Sequence, residues 1–156
     1  MNPEESFQKE VDSVISLFSN GQTQDALNIA LSLIESNPEE SVLFNICGAC
    51  SASLGQNKFA IEFYQKAIII KPDYAKAHFN LAITLQELQK IAEAIESYNN
   101  ALKYDNQSAE AFNNLGNLYK DLGQNDEAIN CFKSAVEINS KYIEANYSLA
   151  LTLHDE

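Results

Sequence analysis

Apolar residues recur through most of the chain three or four positions apart, as in Leu81, Leu85 and Leu88, or Leu115, Leu118 and Leu122. That spacing gathers them on one stripe of an α-helix. No stretch sustains the alternation of a half-buried strand, so the pattern predicts an all-α protein. The stripes come in pairs separated by turn residues. Gly21, Gly55 and Gly123 each follow the first stripe of a pair, where a left-handed residue ends a helix. Pro38 and Pro72 follow the second, where a proline stops one.

The pairs repeat. The runs GQTQDAL from Gly21, GQNKFAI from Gly55, QKIAEAI from Gln89 and GQNDEAI from Gly123 each begin 34 residues after the last. Within them Ala26, Ala60, Ala94 and Ala128 share one column, with Leu27, Ile61, Ile95 and Ile129 in the next. Ala30, Tyr64, Tyr98 and Phe132 form another, and Leu33, Ala67, Ala101 and Ala135 another. Upstream, NLAIT, NLGNL and SLALT stack in the same register, where the second unit has ICGAC. Small residues at fixed columns allow close helix approach, where larger ones would overpack the contact.

These columns resemble the tetratricopeptide repeat, a 34-residue helix–turn–helix unit. The resemblance runs from about Phe7 to the end of the chain and implies a right-handed α-solenoid. It divides the single domain 1–156 into a degenerate capping repeat 7–40, full repeats 41–74, 75–108 and 109–142, and a partial repeat 143–156. Some positions depart from the family pattern. Its fourth-position aromatic is present as Phe44 and Phe112 but replaced by His78 and Asn146, and Ser13 stands in the first unit where Leu is usual.

Composition narrows the partners. The 156 residues carry a formal charge of −12, and every basic residue is Lys. Nucleic acid and anionic membrane surfaces both select for positive charge, so neither is expected as a partner. The longest apolar run, AIII at 67–70, is too short to span a bilayer, and the charged N-terminus has no signal-peptide core. With three cysteines, an odd number, these features point to the reducing cytoplasm.

One motif suggests chemistry. Cys47-Gly-Ala-Cys50 has the spacing of a redox pair or half a zinc site. In the repeat register, however, Cys47 shares its column with Leu81 and Leu115, and Cys50 with Thr84 and Leu118. Both thiols therefore belong inside a helix, as small hydrophobic filling. Cys131, His78 and His154 are scattered over other units, so no metal is expected. No phosphate-binding glycine loop or nucleophile motif occurs; neither a cofactor nor catalysis is expected.

The resemblance also implies where a ligand sits. In the family, positions 2, 5, 6, 9, 12 and 13 of each unit face a concave groove. The second unit supplies Val42, Asn45, Ile46, Ala49, Ala52 and Ser53, and the third Lys76, Phe79, Asn80, Ile83, Gln86 and Glu87. The fourth supplies Glu110, Asn113, Asn114, Asn117, Lys120 and Asp121; the fifth includes Tyr147, Ser148, Leu151, His154 and Asp155. AHFNLA and AFNNLG are similar to repeats of O-linked N-acetylglucosamine transferases, whose sixth-position Asn ladder holds an extended peptide; Asn80 and Asn114 match that column, while Ile46 and Ser148 do not. Such an Asn equally suits a bridge between neighbouring helices. Phe79 and Ile83 suit either an apolar pocket or packing against the next unit.

The expected function is a noncatalytic scaffold binding a peptide or protein segment in that groove. The alternatives are the substrate-recognition part of a larger glycosyltransferase or sulfotransferase, and a self-assembling structural module. Ile143, Tyr147 and Leu151 on the last helix lack the polar outer face of a cap, so homo-oligomer formation through 143–154 is also expected.

Overall fold

The computed structural model describes residues 3–154. Among these the chain forms nine α-helices and no strand: α1 (Pro3–Ser19), α2 (Thr23–Ser36), α3 (Ser41–Ser53), α4 (Asn57–Ile70), α5 (Ala75–Glu87), α6 (Ile91–Tyr104), α7 (Ala109–Asp121), α8 (Asn125–Ile138) and α9 (Ile143–His154). Helices α3, α5, α7 and α9 start 34 residues apart, as do α2, α4, α6 and α8. Each helix packs on the one before it and the one after it, giving a solenoid of helical pairs.

The turn inside each pair is the same device four times. Gly21, Gly55 and Gly123 adopt φ of 81°, 73° and 72°, and Gln89 takes φ of 59° at the equivalent place. The next residue donates backward over the turn to the preceding helix: Gln22 to Leu17 at 2.9 Å, Gln56 to Ser51 at 2.8 Å, Lys90 to Leu85 at 2.9 Å and Gln124 to Tyr119 at 2.9 Å. This pattern satisfies carbonyls that a helix end otherwise leaves open.

The core is built on the repeated columns. Ala26, Ala60, Ala94 and Ala128 are fully buried, and beside them Tyr64, Tyr98 and Phe132 fill the space inside their pairs. The facing first helix must be small there. A Cβ on Gly48 would lie 2.5 Å from the Tyr64 ring, and one on Gly116 would lie 2.6 Å from Phe132. In the first unit Ser13 is exposed, and Val11 and Val14 turn inward instead, joining Ala26, Leu27, Leu43 and Cys47 in one cluster.

Cys47 and Cys50 are both fully buried in the N-terminal part of this core. Burial pushes the Cys47 thiol up to about 12, helped by the neighbouring Cys50, and pushes Cys50 up to about 11. A redox thiol needs the opposite shift and access to solvent. The pair therefore acts as packing, in line with its register columns.

Two outcomes follow for stability. Replacing Gln89 with Gly removes the strain of a left-handed side-chain residue while adding some backbone freedom, so Gln89→Gly raises stability by about 0.5–1 kcal/mol; a melt showing no gain counts against the strain. The cysteines predict alkaline weakening. Unfolded thiols ionise near about 8.5, whereas the buried ones hold their protons to about 11 and 12. Their contribution is therefore complete below about pH 8.5 and falls as pH rises above it. Melting temperature drops between about pH 8.5 and 10, before unperturbed tyrosines ionise, and Cys47→Ala with Cys50→Ala flattens that drop.

Candidate functional site

First helices touch one another directly at three of their four junctions, α1 on α3, α3 on α5 and α7 on α9, whereas successive second helices have no comparable packing. The array therefore bends toward the first helices, which form its inner face. Between α1, α3 and α5 that face holds a cleft of about 560 Å³. From α3 it is lined by Val42, Asn45, Ile46, Ala49, Ala52 and Ser53, a set at helical spacing. Helix α5 adds Lys76, Asn80, Ile83, Thr84 and Glu87, α1 adds Ile15 and Phe18, and Tyr64 and Tyr74 complete the wall.

The polar groups in the cleft are few and mostly held. Asn80 Nδ2 donates to Asn45 Oδ1 at 3.0 Å, joining α5 to α3 across 35 residues of sequence. Thr84 Oγ1 donates to the Asn80 carbonyl at 3.1 Å. Burial raises the Tyr64 hydroxyl above its ordinary range, with Thr84 hydrogen bonding partly opposing the shift, so this phenol stays a neutral donor. Lys76 and Glu87 are the charged lining residues, both exposed. They stand eleven positions apart on α5, about 16 Å along the axis. Apolar walls with a few convergent polar groups make a binding surface. Among the described residues, no group of three or more His, Cys, Asp or Glu converges as a metal site.

A second, shallower cleft of about 390 Å³ continues along the same face, lined by Ile83, Gln86, Glu87, Gln89, Tyr98 and Asn114. Here the Tyr98 hydroxyl donates to Gln86 Oε1 at 2.9 Å. Burial pushes that phenol up to about 12, with Asn114 hydrogen bonding in the opposing direction.

The residues singled out from sequence fall into different surroundings. Lys76, Asn80 and Ile83 line the larger cleft, and Ile83, Gln86 and Asn114 the smaller one. Phe79 does not open into either. It is buried edge-on against Tyr98 with ring centres 5.9 Å apart, and Lys76 Nζ lies 5.0 Å from its ring centre. Phe79 thus packs on α6 of its own unit, and its remaining surface lines a small cavity of about 120 Å³ shared with Ala101, Ser108 and Ala111. Asn113, expected in the groove, is likewise outside both clefts and buried, and its Oδ1 has no hydrogen-bond partner. Asn117 and Lys120 are half-buried on α7, outside both clefts. Ile143, Tyr147 and Leu151 are uncovered on α9, the first two at 78% and 68% exposure. Asp155 lies outside the described residues. Sequence reasoning did not single out Ile15, Phe18, Tyr64, Tyr74 or Thr84 as lining residues. Ile15 and Phe18 sit in the divergent first unit, where the columns shift, and Tyr64 belongs to a second helix.

Comparison with known proteins places this geometry in context. The sequence profile of the family described as TPR repeat matches residues 52–89, 84–123 and 116–155. The chain is 37% identical over 74 residues to a peroxisomal targeting signal receptor of Kluyveromyces lactis, covering 47% of this chain and 12% of that protein. It is 29% identical over 70 residues to Protein FlbA of Caulobacter vibrioides, covering 45% of this chain and 12% of that one. The chain thus spans about an eighth of the length of the curated relatives it matches. Among solved structures, PilF of Pseudomonas aeruginosa superposes with a TM-score of 0.89 at 19% identity, over 97% of this chain and 69% of that one. MamA of Desulfovibrio magneticus RS-1 superposes with a TM-score of 0.82 at 16% identity, over 95% and 84% respectively. A profile matching two-thirds of the sequence, on a solenoid of helical pairs, identifies the chain as a member of the tetratricopeptide-repeat family.

Proposed function

We propose that the chain is a noncatalytic protein-interaction scaffold that binds an extended peptide or protein segment in the cleft of α1, α3 and α5, within the cytoplasm. The observation that carries this reading is the cleft itself: about 560 Å³ on the inner face, with apolar walls and Lys76 and Glu87 toward its two ends. A strand-like segment of about five residues covers the 16 Å between those charges. The relatives named as receptors for a peroxisomal targeting signal support the same class of role.

The finer resemblance to O-linked N-acetylglucosamine transferase repeats is weaker support. Asn80 and Asn114 share a column, yet Asn80 is engaged with Asn45 while Asn114 lies by Tyr98. Where the column before Asn80 offers Asn45, the one before Asn114 offers Phe79, so the two amides meet different partners. A bound peptide reaches such an amide only through the hydrogen-bonding capacity left over after its partner in the protein is satisfied.

Peptides selected from a random-sequence display library on the wild-type protein test the cleft. Ala49→Arg, which places a long side chain in it, weakens the selected peptides about tenfold or more with an unchanged melting temperature. Equal binding by the variant, or a library yielding nothing above background, refutes the reading.

Self-association through α9 is a second proposal, favoured by the exposure of Ile143, Tyr147 and Leu151 beside the buried Ala145 and Thr152. Sedimentation velocity up to about 100 μM should show a concentration-dependent species that Tyr147→Glu removes. A single monomer boundary at every concentration rules it out.

A further inference from the structure

Repeat units that share one packing scheme serve as controls for one another, and two departures from that scheme on the outer face fall together. Ile69, near the end of α4, is 78% exposed, while the same register position holds Glu35, Lys103 and Glu137 in the other units. On α6, Ser97 is buried where the other units put Ile29, Phe63 and Cys131. The two departures meet in one space, a cleft of about 400 Å³ between the second helices α4 and α6. Its floor is His78, Leu81 and Leu85 of α5, all buried. The missing bulk at Ser97 opens the notch, and Ile69 makes its wall apolar where a charge normally meets water. Its rim is acidic. Glu93 pairs with Lys90 at 3.1 Å, and Glu96 has no hydrogen bond or ion pair among the described residues.

We propose that this notch docks a segment of a partner protein presenting one large apolar side chain beside a basic residue. The apolar group fills the space over Leu81 and Leu85 and removes Ile69 from water, which is the main favourable term. The basic residue pairs with Glu96, and the overall charge of −12 speeds its approach. The same charge opposes a second copy of this chain on an acidic rim. The notch lies on the face opposite the peptide cleft and shares no lining residue with it, so the two sites bind independently.

The probe is a short fluorescein-labelled helical peptide carrying Leu and Lys at i, i+4 spacing, with a twin bearing Glu in place of Lys, both read by fluorescence anisotropy. Wild-type protein binds the Lys peptide and not its twin. Ile69→Glu and Glu96→Lys each weaken binding by about tenfold or more, while Ala49→Arg leaves it unchanged. Ile69→Glu installs the residue that other units carry at an exposed position, so it folds, as circular dichroism will verify. It also makes the protein more negative, so a loss there cannot reflect weaker general attraction. Equal binding by Ile69→Glu reduces the interaction to diffuse charge and overturns the proposal. So does a loss in Ala49→Arg, which puts the peptide in the inner cleft. Absence of binding at about 100 μM also overturns it. Wild-type self-association abolished by Ile69→Glu would assign the notch to a second copy instead.

Discussion

The close approach of two helices within each pair is the contact on which the rest of the structure depends. It requires a fully buried alanine at Ala26, Ala60, Ala94 and Ala128, and a small residue opposite the aromatic ring of the second helix. Larger side chains at those columns would force the helices apart. Because the turn between them is also fixed by a left-handed residue, each pair presents the same two faces at the same angle. Stacking such pairs buries what none could bury alone. The first helices α1, α3 and α5 touch in succession along the inside while the second helices splay outside, and the inner cleft between those three follows from that difference.

Against so regular a frame, exceptions carry information. Gln89 occupies a glycine site and stores strain, and its side chain joins the lining of the smaller cleft. Val11 and Val14 replace the missing apolar residue at Ser13, turning α1 so that Ile15 and Phe18 close one end of the cleft. Ile69 and Ser97 exchange polar for apolar and large for small at neighbouring places, and the result is a notch instead of a charged ridge. The thiol pair is the contrary case. Its spacing suggests reactivity, yet desolvation by the surrounding core keeps both protons on well above neutral pH.

Electrostatics divides labour between the surfaces. The inner cleft carries one lysine and one glutamate at separate places, with neutral amides and hydroxyls between them. Such a lining positions a ligand through hydrogen bonds and apolar contact. The outer notch has carboxylates alone among its charged lining residues, which favours a cationic segment and disfavours a second acidic chain.

The amino-acid sequence by itself determined the helical pairs and their 34-residue interval, which depend on local periodicity and on small or left-handed residues repeating at fixed columns, as a linear pattern records. The six α3 positions from Val42 to Ser53 that line the cleft were implied by the family resemblance those columns carry. Tertiary structure decided the rest: that Phe79 turns into Tyr98, that Asn113 is buried, and that Asn80 reaches Asn45. It also decided that Ile69 and Ser97 share one cavity although 28 positions separate them. Each of these outcomes depends on how far a helix is rotated about its axis and on which side chain a neighbouring helix sets opposite. Residues in one column share a backbone position but not a partner, so register locates a side chain without fixing what it touches.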